Sequence, residues 1–128
     1  MKKKVIIITD GSGETAKMAA GIKAALKGNT IVIKNASEFK GNDILPADAF
    51  FLGCEKPRPE SFTYLEDLLK HINLAGRPCG IFSPGSEKAA KYLVNLVHDC
   101  EAALNAEPLM GPGAAVASWV NKVLSKSF

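Results

Sequence analysis

The sequence predicts an α/β domain with a parallel sheet of five strands and helices on both faces. Three observations carry this expectation. Short β-branched or aromatic runs recur along the chain, beginning with Val5-Ile6-Ile7-Ile8. Segments with apolar residues at helical spacing separate those runs. The 128 residues are 47% hydrophobic and 23% charged, which suits one globular domain over 1–128 with a real core and no need of staples.

Each element follows from local chemistry. Val5 to Thr9 reads as a strand buried on both faces, broken by Asp10-Gly11-Ser12-Gly13. Ala16, Ala19, Ala20 and Leu26 then repeat at helical spacing up to Lys27, and Gly28-Asn29 is a helix stop. Thr30 to Ile33 is the second strand. Residues 35–47 are polar and broken by Gly41 and Pro46, so at most one helical turn fits. Ala49 to Leu52 is the third strand, ending at Gly53-Cys54. Thr63-x-x-Glu66 has capping-box spacing, with Ser61 as the other possible start, for a helix on Leu65, Leu68, Leu69 and Ile72 that ends at Gly76. Pro78 to Phe82 is the fourth strand. Ser86 can cap a long helix whose inner face is Ala90, Leu93, Val94, Val97 and Ala103 or Leu104. Glu107 to Met110 is a short fifth strand, and Ala114 to Lys126 a closing helix.

Composition removes several function classes. Net charge is +3, with 10 Lys or Arg against 7 Asp or Glu in residues 1–64 and 6 against 6 afterwards. The excess is mild, includes Lys2 to Lys4, and is not interleaved with aromatics, so no nucleic-acid partner is expected. No apolar run is long enough for a membrane span, and Val5 to Ile8 is too short for a secretory leader. A cytoplasmic protein is expected. Cys54, Cys79 and Cys100 are odd in number and well separated, which suggests neither a disulfide framework nor, with only His71 and His98 beside them, a metal site.

An open parallel sheet binds ligands beyond the carboxyl ends of its strands. Three loops lie there: Asp10 to Thr15, Cys54 to Ser61, and Ser83 to Ser86. In the first, Gly11 and Gly13 let the backbone approach a ligand, and Ser12 and Thr15 add hydroxyls. The helix behind adds free N–H groups and partial positive charge, which together suit a phosphate. The bland reading is a tight turn that Ser12 or Thr15 merely caps. A Walker loop is excluded, since no Gly-Lys-Ser/Thr follows. Gly11-x-Gly13-x-x-Ala16 fits the dinucleotide fingerprint, but Asn35 stands where the acidic ribose ligand is expected. A phosphorelay receiver needs an acidic cluster and an Asp where Asp10 stands alone and Gly53-Cys54 follows.

Asp10-Gly11-Ser12-Gly13-Glu14-Thr15 resembles the phosphate loop of the flavodoxin family, which runs Ser/Thr-x-Thr-Gly-x-Thr; Ser12, Gly13 and Thr15 match in type and place. Gly53, Gly76-x-Pro78-x-Gly80-Ile81-Phe82 and Trp119 extend the resemblance over essentially the whole chain. It implies a flavodoxin-like three-layer sandwich with strand order 2-1-3-4-5. It also implies non-covalently bound FMN and electron transfer between redox partner proteins, with no catalytic side chains. The cofactor-binding residues implied are Asp10, Gly11, Ser12, Gly13, Glu14 and Thr15 at the phosphate. Gly53, Cys54 and Glu55, with Ser83, Pro84, Gly85 and Ser86, would border the ring.

The chain departs from that family in three respects. Asp10 takes a hydroxyl position, the flanking loops carry no ring to stack on a flavin, and the charge is basic. These departures keep a second reading open: a flavodoxin-fold module without flavin that binds protein or another phosphate ligand. Phe62, Tyr64 or Tyr92 could swing in to supply such a ring, with Tyr92 expected against the sheet instead. Cys54 is either a small core residue or a thiol activated by Lys56 and Arg58. Cys79 and Cys100 read as core, and both histidines as surface residues.

Overall fold

Five strands, β1 (Lys4–Thr9), β2 (Thr30–Asn35), β3 (Ala49–Gly53), β4 (Cys79–Ser83) and β5 (Leu109–Met110), pair in parallel in the order β2-β1-β3-β4-β5. This is the topology expected from the sequence. It is seen in a computed structural model that describes residues 3–111 and 115–125. The helices are α1 (Gly13–Ala25), the single turn α2 (Gly41–Ile44), α3 (Thr63–His71), α4 (Glu87–His98) and α5 (Val116–Leu124), with a 3₁₀ turn over Glu60–Phe62 before α3. Among the described residues no helix is long and apolar enough to cross a membrane.

Strand alternation divides the core in two. Ile6, Ile8, Phe50, Leu52 and Ile81 point to one face, where Leu65 and Leu69 of α3 and Leu93 and Val97 of α4 cover them. Val5, Ile7, Phe51 and Phe82 point to the other, beneath Met18, Ala19 and Ile22 of α1 and Trp119, Val120 and Val123 of α5. β3 and β4 are buried along their whole length, as their unbroken apolar runs require. The register sets Thr9 beside Gly53 and Gly53 beside Phe82, so the carboxyl ends of β1, β3 and β4 finish level.

Several expected boundaries differ, each for a visible reason. α4 stops at His98 rather than continuing to Ala103 or Leu104. Glu101 takes a left-handed φ of 62°. Ala103 then donates its N–H to the Arg77 carbonyl and accepts from the Cys79 N–H, so these backbone groups find their bonds at the start of β4. α3 ends at His71, where Ile72 becomes extended, instead of running to Gly76. Neither Thr63 nor Ser61 caps it: the N-cap is Phe62, the Thr63 hydroxyl donates to the Glu60 carbonyl, and Glu66 is engaged elsewhere. α1 starts earlier than its apolar repeat, at Gly13, with Ala16 and Ala20 exposed and Met18, Ala19 and Ile22 buried. β2 extends to Asn35, while β5 is confined to Leu109–Met110. The outer ends expected for the closing helix, Ala114 and Lys126, lie outside the described residues.

Candidate functional site

The loop between β1 and α1 is held by its own side chains. Gly11 sits at φ +82°, a left-handed conformation that favours glycine, and a Cβ there would press on the end of the Asn35 side chain, 2.4 Å from Nδ2. The Gly11 N–H donates to Thr9 Oγ1 at 3.2 Å. Ser12 caps α1: its Oγ accepts the Thr15 N–H at 3.3 Å and donates to Thr15 Oγ1 at 2.7 Å. Thr15 is fully buried behind it. Gly13 and Glu14, which open α1, are exposed, and the first turn of a helix offers their N–H groups no intrahelical acceptor.

Asp10 commits both oxygens of its carboxylate to backbone N–H groups. Its Oδ1 accepts the Ser12 N–H at 3.0 Å, and its Oδ2 accepts the Glu55 N–H at 2.8 Å. One carboxylate therefore ties the loop after β1 to the loop after β3, across 45 residues of sequence. The second loop is fastened at its far end too. Arg58, at φ 51° between two prolines, pairs with Glu66 at 3.6 Å. Glu66 also accepts the Tyr92 hydroxyl at 2.7 Å, and the Tyr92 ring lies 6.4 Å from that of Phe62. The ring is thus committed to the contact between α3 and α4.

The third loop is built on Ser83, fully buried at the end of β4. Its Oγ accepts the Ser86 N–H at 3.3 Å and its carbonyl accepts the Gly111 N–H at 2.9 Å. Ser86 caps α4 through the Ala89 N–H at 3.1 Å, as expected. Pro84 and Ser86 are half-buried and Gly85 is exposed.

The structure thus brings Asp10, Ser12, Thr15, Gly53, Cys54 and Glu55 together directly, and aligns Ser83 to Ser86 beside them through the register of β3 and β4. It does not bring Tyr64 there: that hydroxyl accepts the Gly41 N–H and the ring stacks obliquely on Phe39. Sequence reasoning missed Thr9, Asn35 and Phe82 as supports of these loops. Thr9 was legible in principle, since a polar residue closing a buried apolar strand needs a partner. Phe82 was not, because its ring packs over Gly53 from the neighbouring strand.

Cys54 is fully buried. Burial, reinforced by the Asp10 charge, pushes its thiol up to about 12. The activation offered by Lys56 and Arg58 is therefore overturned: desolvation outweighs two exposed cations, one of which is already paired with Glu66. Cys79 and Cys100 are likewise buried free thiols with raised pKa values, chiefly through burial. His71 and His98 are exposed. Among the described residues no three His, Cys, Asp or Glu side chains converge as metal ligands. A hollow of about 270 Å³ lies at the opposite end of the sheet, against Lys4, Thr30, Val32 and Asp43. It is a mixed polar and apolar recess remote from these three loops. What these three loops present is hydroxyls, backbone N–H groups and a helix N-terminus, groups suited to hydrogen-bonding a ligand.

No protein-family model and no curated protein matches the sequence. Solved structures do match in shape. An oxidised flavodoxin 2 from Bacillus cereus superposes with a TM-score of 0.79 at 22% identity, covering 97% of this chain and 99% of that one. A short-chain flavodoxin associated with a non-canonical PDU bacterial microcompartment gives 0.81 at 15%, covering 99% and 97%. A Fusobacterium nucleatum flavodoxin mutant bound to flavin mononucleotide gives 0.77 at 12%, covering 100% and 99%. Chains of nearly equal length, matched almost end to end, give this protein the flavodoxin fold, in keeping with its β2-β1-β3-β4-β5 sheet.

Proposed function

We propose that this protein binds FMN non-covalently beyond the carboxyl ends of β1, β3 and β4 and carries electrons between partner proteins. The observation that carries the reading is the paired Ser12 and Thr15 hydroxyls beside the open N–H groups of Gly13 and Glu14, at the ligand-binding end of this fold. The FMN-bound Fusobacterium protein of the same fold supports it. Ser12 and Gly13 meet the phosphate, with the buried Thr15 orienting the Ser12 hydroxyl from behind, aided by the positive end of the α1 dipole. The backbones of Gly53, Cys54 and Glu55 and of Ser83, Pro84, Gly85 and Ser86 border the ring. Bound flavin supplies transfer of one or two electrons; the chain supplies position and surroundings. Cys54 stays protonated and packs. Three buried free cysteines fit a reducing compartment, and we place the protein in the cytoplasm.

One observation favours a second reading, a fold retained for contact with another protein or another phosphate ligand. The exposed segment Glu55-Lys56-Pro57-Arg58 and the Ser83 loop carry no aromatic ring, and Tyr92 is occupied by Glu66 and Phe62. The two readings separate in one experiment. The purified protein is examined for the visible absorption of oxidised flavin, then titrated with FMN while its fluorescence is followed. Quenching at micromolar affinity or tighter, about −8 kcal/mol, is expected. Ser12→Ala and Thr15→Ala should each weaken it about tenfold, the scale of one charge-assisted hydrogen bond. A colourless protein that leaves FMN fluorescence unquenched sinks the flavin reading in favour of the second.

A further inference from the structure

Asp10 places a carboxylate inside a loop whose remaining features suit an anion. It takes the Ser12 N–H with one oxygen and the Glu55 N–H with the other. The Gly11 N–H is taken by Thr9 and the Thr15 N–H by Ser12. Lys17 pairs with Glu14 at 3.3 Å and Arg58 with Glu66 at 3.6 Å, leaving Lys56 as the basic side chain of the crevice without an ion pair among the described residues. The field of Asp10 extends over this floor, since it raises the neighbouring Cys54 thiol.

Resting on the flavin reading above, we infer that Asp10 sets the choice between phosphorylated and unphosphorylated flavin, narrowing the advantage of FMN over riboflavin. A phosphate at the N-terminus of α1 meets a fixed negative charge within its own loop and finds the Ser12 N–H already bonded. Riboflavin, which shares the ring and the ribityl chain but lacks the phosphate, meets neither obstacle. The carboxylate also holds two loops in place, so its removal acts on both ligands through the loop geometry and on one alone through charge. The difference between the two ligands isolates the charge.

The test compares the full chain with Asp10→Asn, which keeps the shape, removes the charge and leaves one oxygen to accept where the carboxylate offers two. Asp10→Ser is a second variant that still offers an acceptor to the Ser12 N–H. Circular dichroism first establishes that each variant folds. FMN and riboflavin are titrated by fluorescence. Inorganic phosphate is titrated separately against the backbone amide signals of Gly13, Glu14 and Thr15 by NMR. Removal of a unit charge a few ångströms from a phosphate in partly screened surroundings should tighten FMN about tenfold or more and leave riboflavin within about threefold. Inorganic phosphate should gain by a similar factor. Equal changes for FMN and riboflavin in a folded variant, or phosphate binding no tighter than in the parent, would overturn the inference. If neither flavin binds parent or variant while phosphate binding still rises, the flavin reading falls and the role of Asp10 against a phosphate stands.

Discussion

Gly53 closes β3 at the floor of the crevice, and the packing above it gives a worked prediction for Gly53→Ala. An ideal Cβ at this position would lie 2.2, 2.3 and 2.6 Å from Cε2, Cζ and Cδ2 of Phe82. Ordinary carbon contacts are roughly 3.5–4.0 Å, so the ring must retreat by about 1.3 Å or the strands must part. Phe82 is fully buried among Phe51, Trp119 and Met18, which leaves it little room to yield. Overpacking a dense core costs about 1–3 kcal/mol. A clash with three ring atoms belongs at the upper end, less the roughly 0.5–1 kcal/mol that alanine gains by restricting the unfolded chain. The expected net loss is about 2 kcal/mol, or roughly 8 °C in Tm for a domain of this size. Urea denaturation followed by the emission of Trp119 reads it. Phe82→Leu removes the offending ring atoms, so Gly53→Ala introduced into that background should cost about 1 kcal/mol less than it does in the parent. A Gly53→Ala protein as stable as the parent, or two substitutions whose costs simply add, would refute the packing argument.

Two further predictions concern buried groups. Cys54, Cys79 and Cys100 should resist iodoacetamide at pH 8 in the folded protein and react once urea unfolds it, because burial holds each thiol protonated. The same raised values make stability fall with pH. Unfolded thiols ionise near 9.0 while Cys54 keeps its proton up to about 12, so between those values Cys54 withdraws up to about 1.4 kcal/mol per pH unit, and burial moves Cys79 and Cys100 in the same direction. Urea midpoints at pH 8, 9 and 10 should decline, and less steeply in Cys54→Ala. Arg77 donates from one guanidinium nitrogen to the carbonyls of Ile44, Leu45 and Ala47 at 3.3, 2.6 and 3.0 Å, fastening the end of α2. Arg77→Met should therefore cost about 2 kcal/mol in thermal or urea unfolding, the scale of charge-assisted hydrogen bonds to carbonyls; an unchanged midpoint would show that water replaces it fully.

The strands were legible because burial on both faces leaves an unmistakable residue pattern. Val5 to Ile8, Ala49 to Leu52 and Ile81-Phe82 can only be wetted at great cost, and the parallel order follows from the helices between them. The three loops were legible for the same reason, since topology dictates which strand ends meet. What escaped the sequence was decided between distant residues. The apolar spacing that seems to continue α4 through Ala103 is real, but the start of β4 claims that backbone for a parallel bridge. Thr63 and Glu66 have the spacing of a capping box, yet Glu66 serves Tyr92 and Arg58 instead. Asp10 was visible as a charge out of place. That its partner would be the Glu55 N–H depends on loop lengths and strand register that no local pattern encodes.

The contact between Trp119 and Gly80 bears on the order in which the molecule can be assembled. A Cβ at Gly80 would lie 2.9 Å from Trp119 Cη2, so the indole fits against bare backbone there, and its Nε1 donates to the Glu107 carbonyl at 2.7 Å. α5 follows every strand in chain order, yet it roofs β4 on that face. A chain emerging from the ribosome can therefore complete its sheet while Phe51 and Phe82 are still wet on one side. Until the helix closes over them, that apolar surface is the one a chaperone would find. The protein has a single tryptophan, and it sits in that covering helix. The shift of its emission on burial therefore reports the packing of α5 over Phe51 and Phe82.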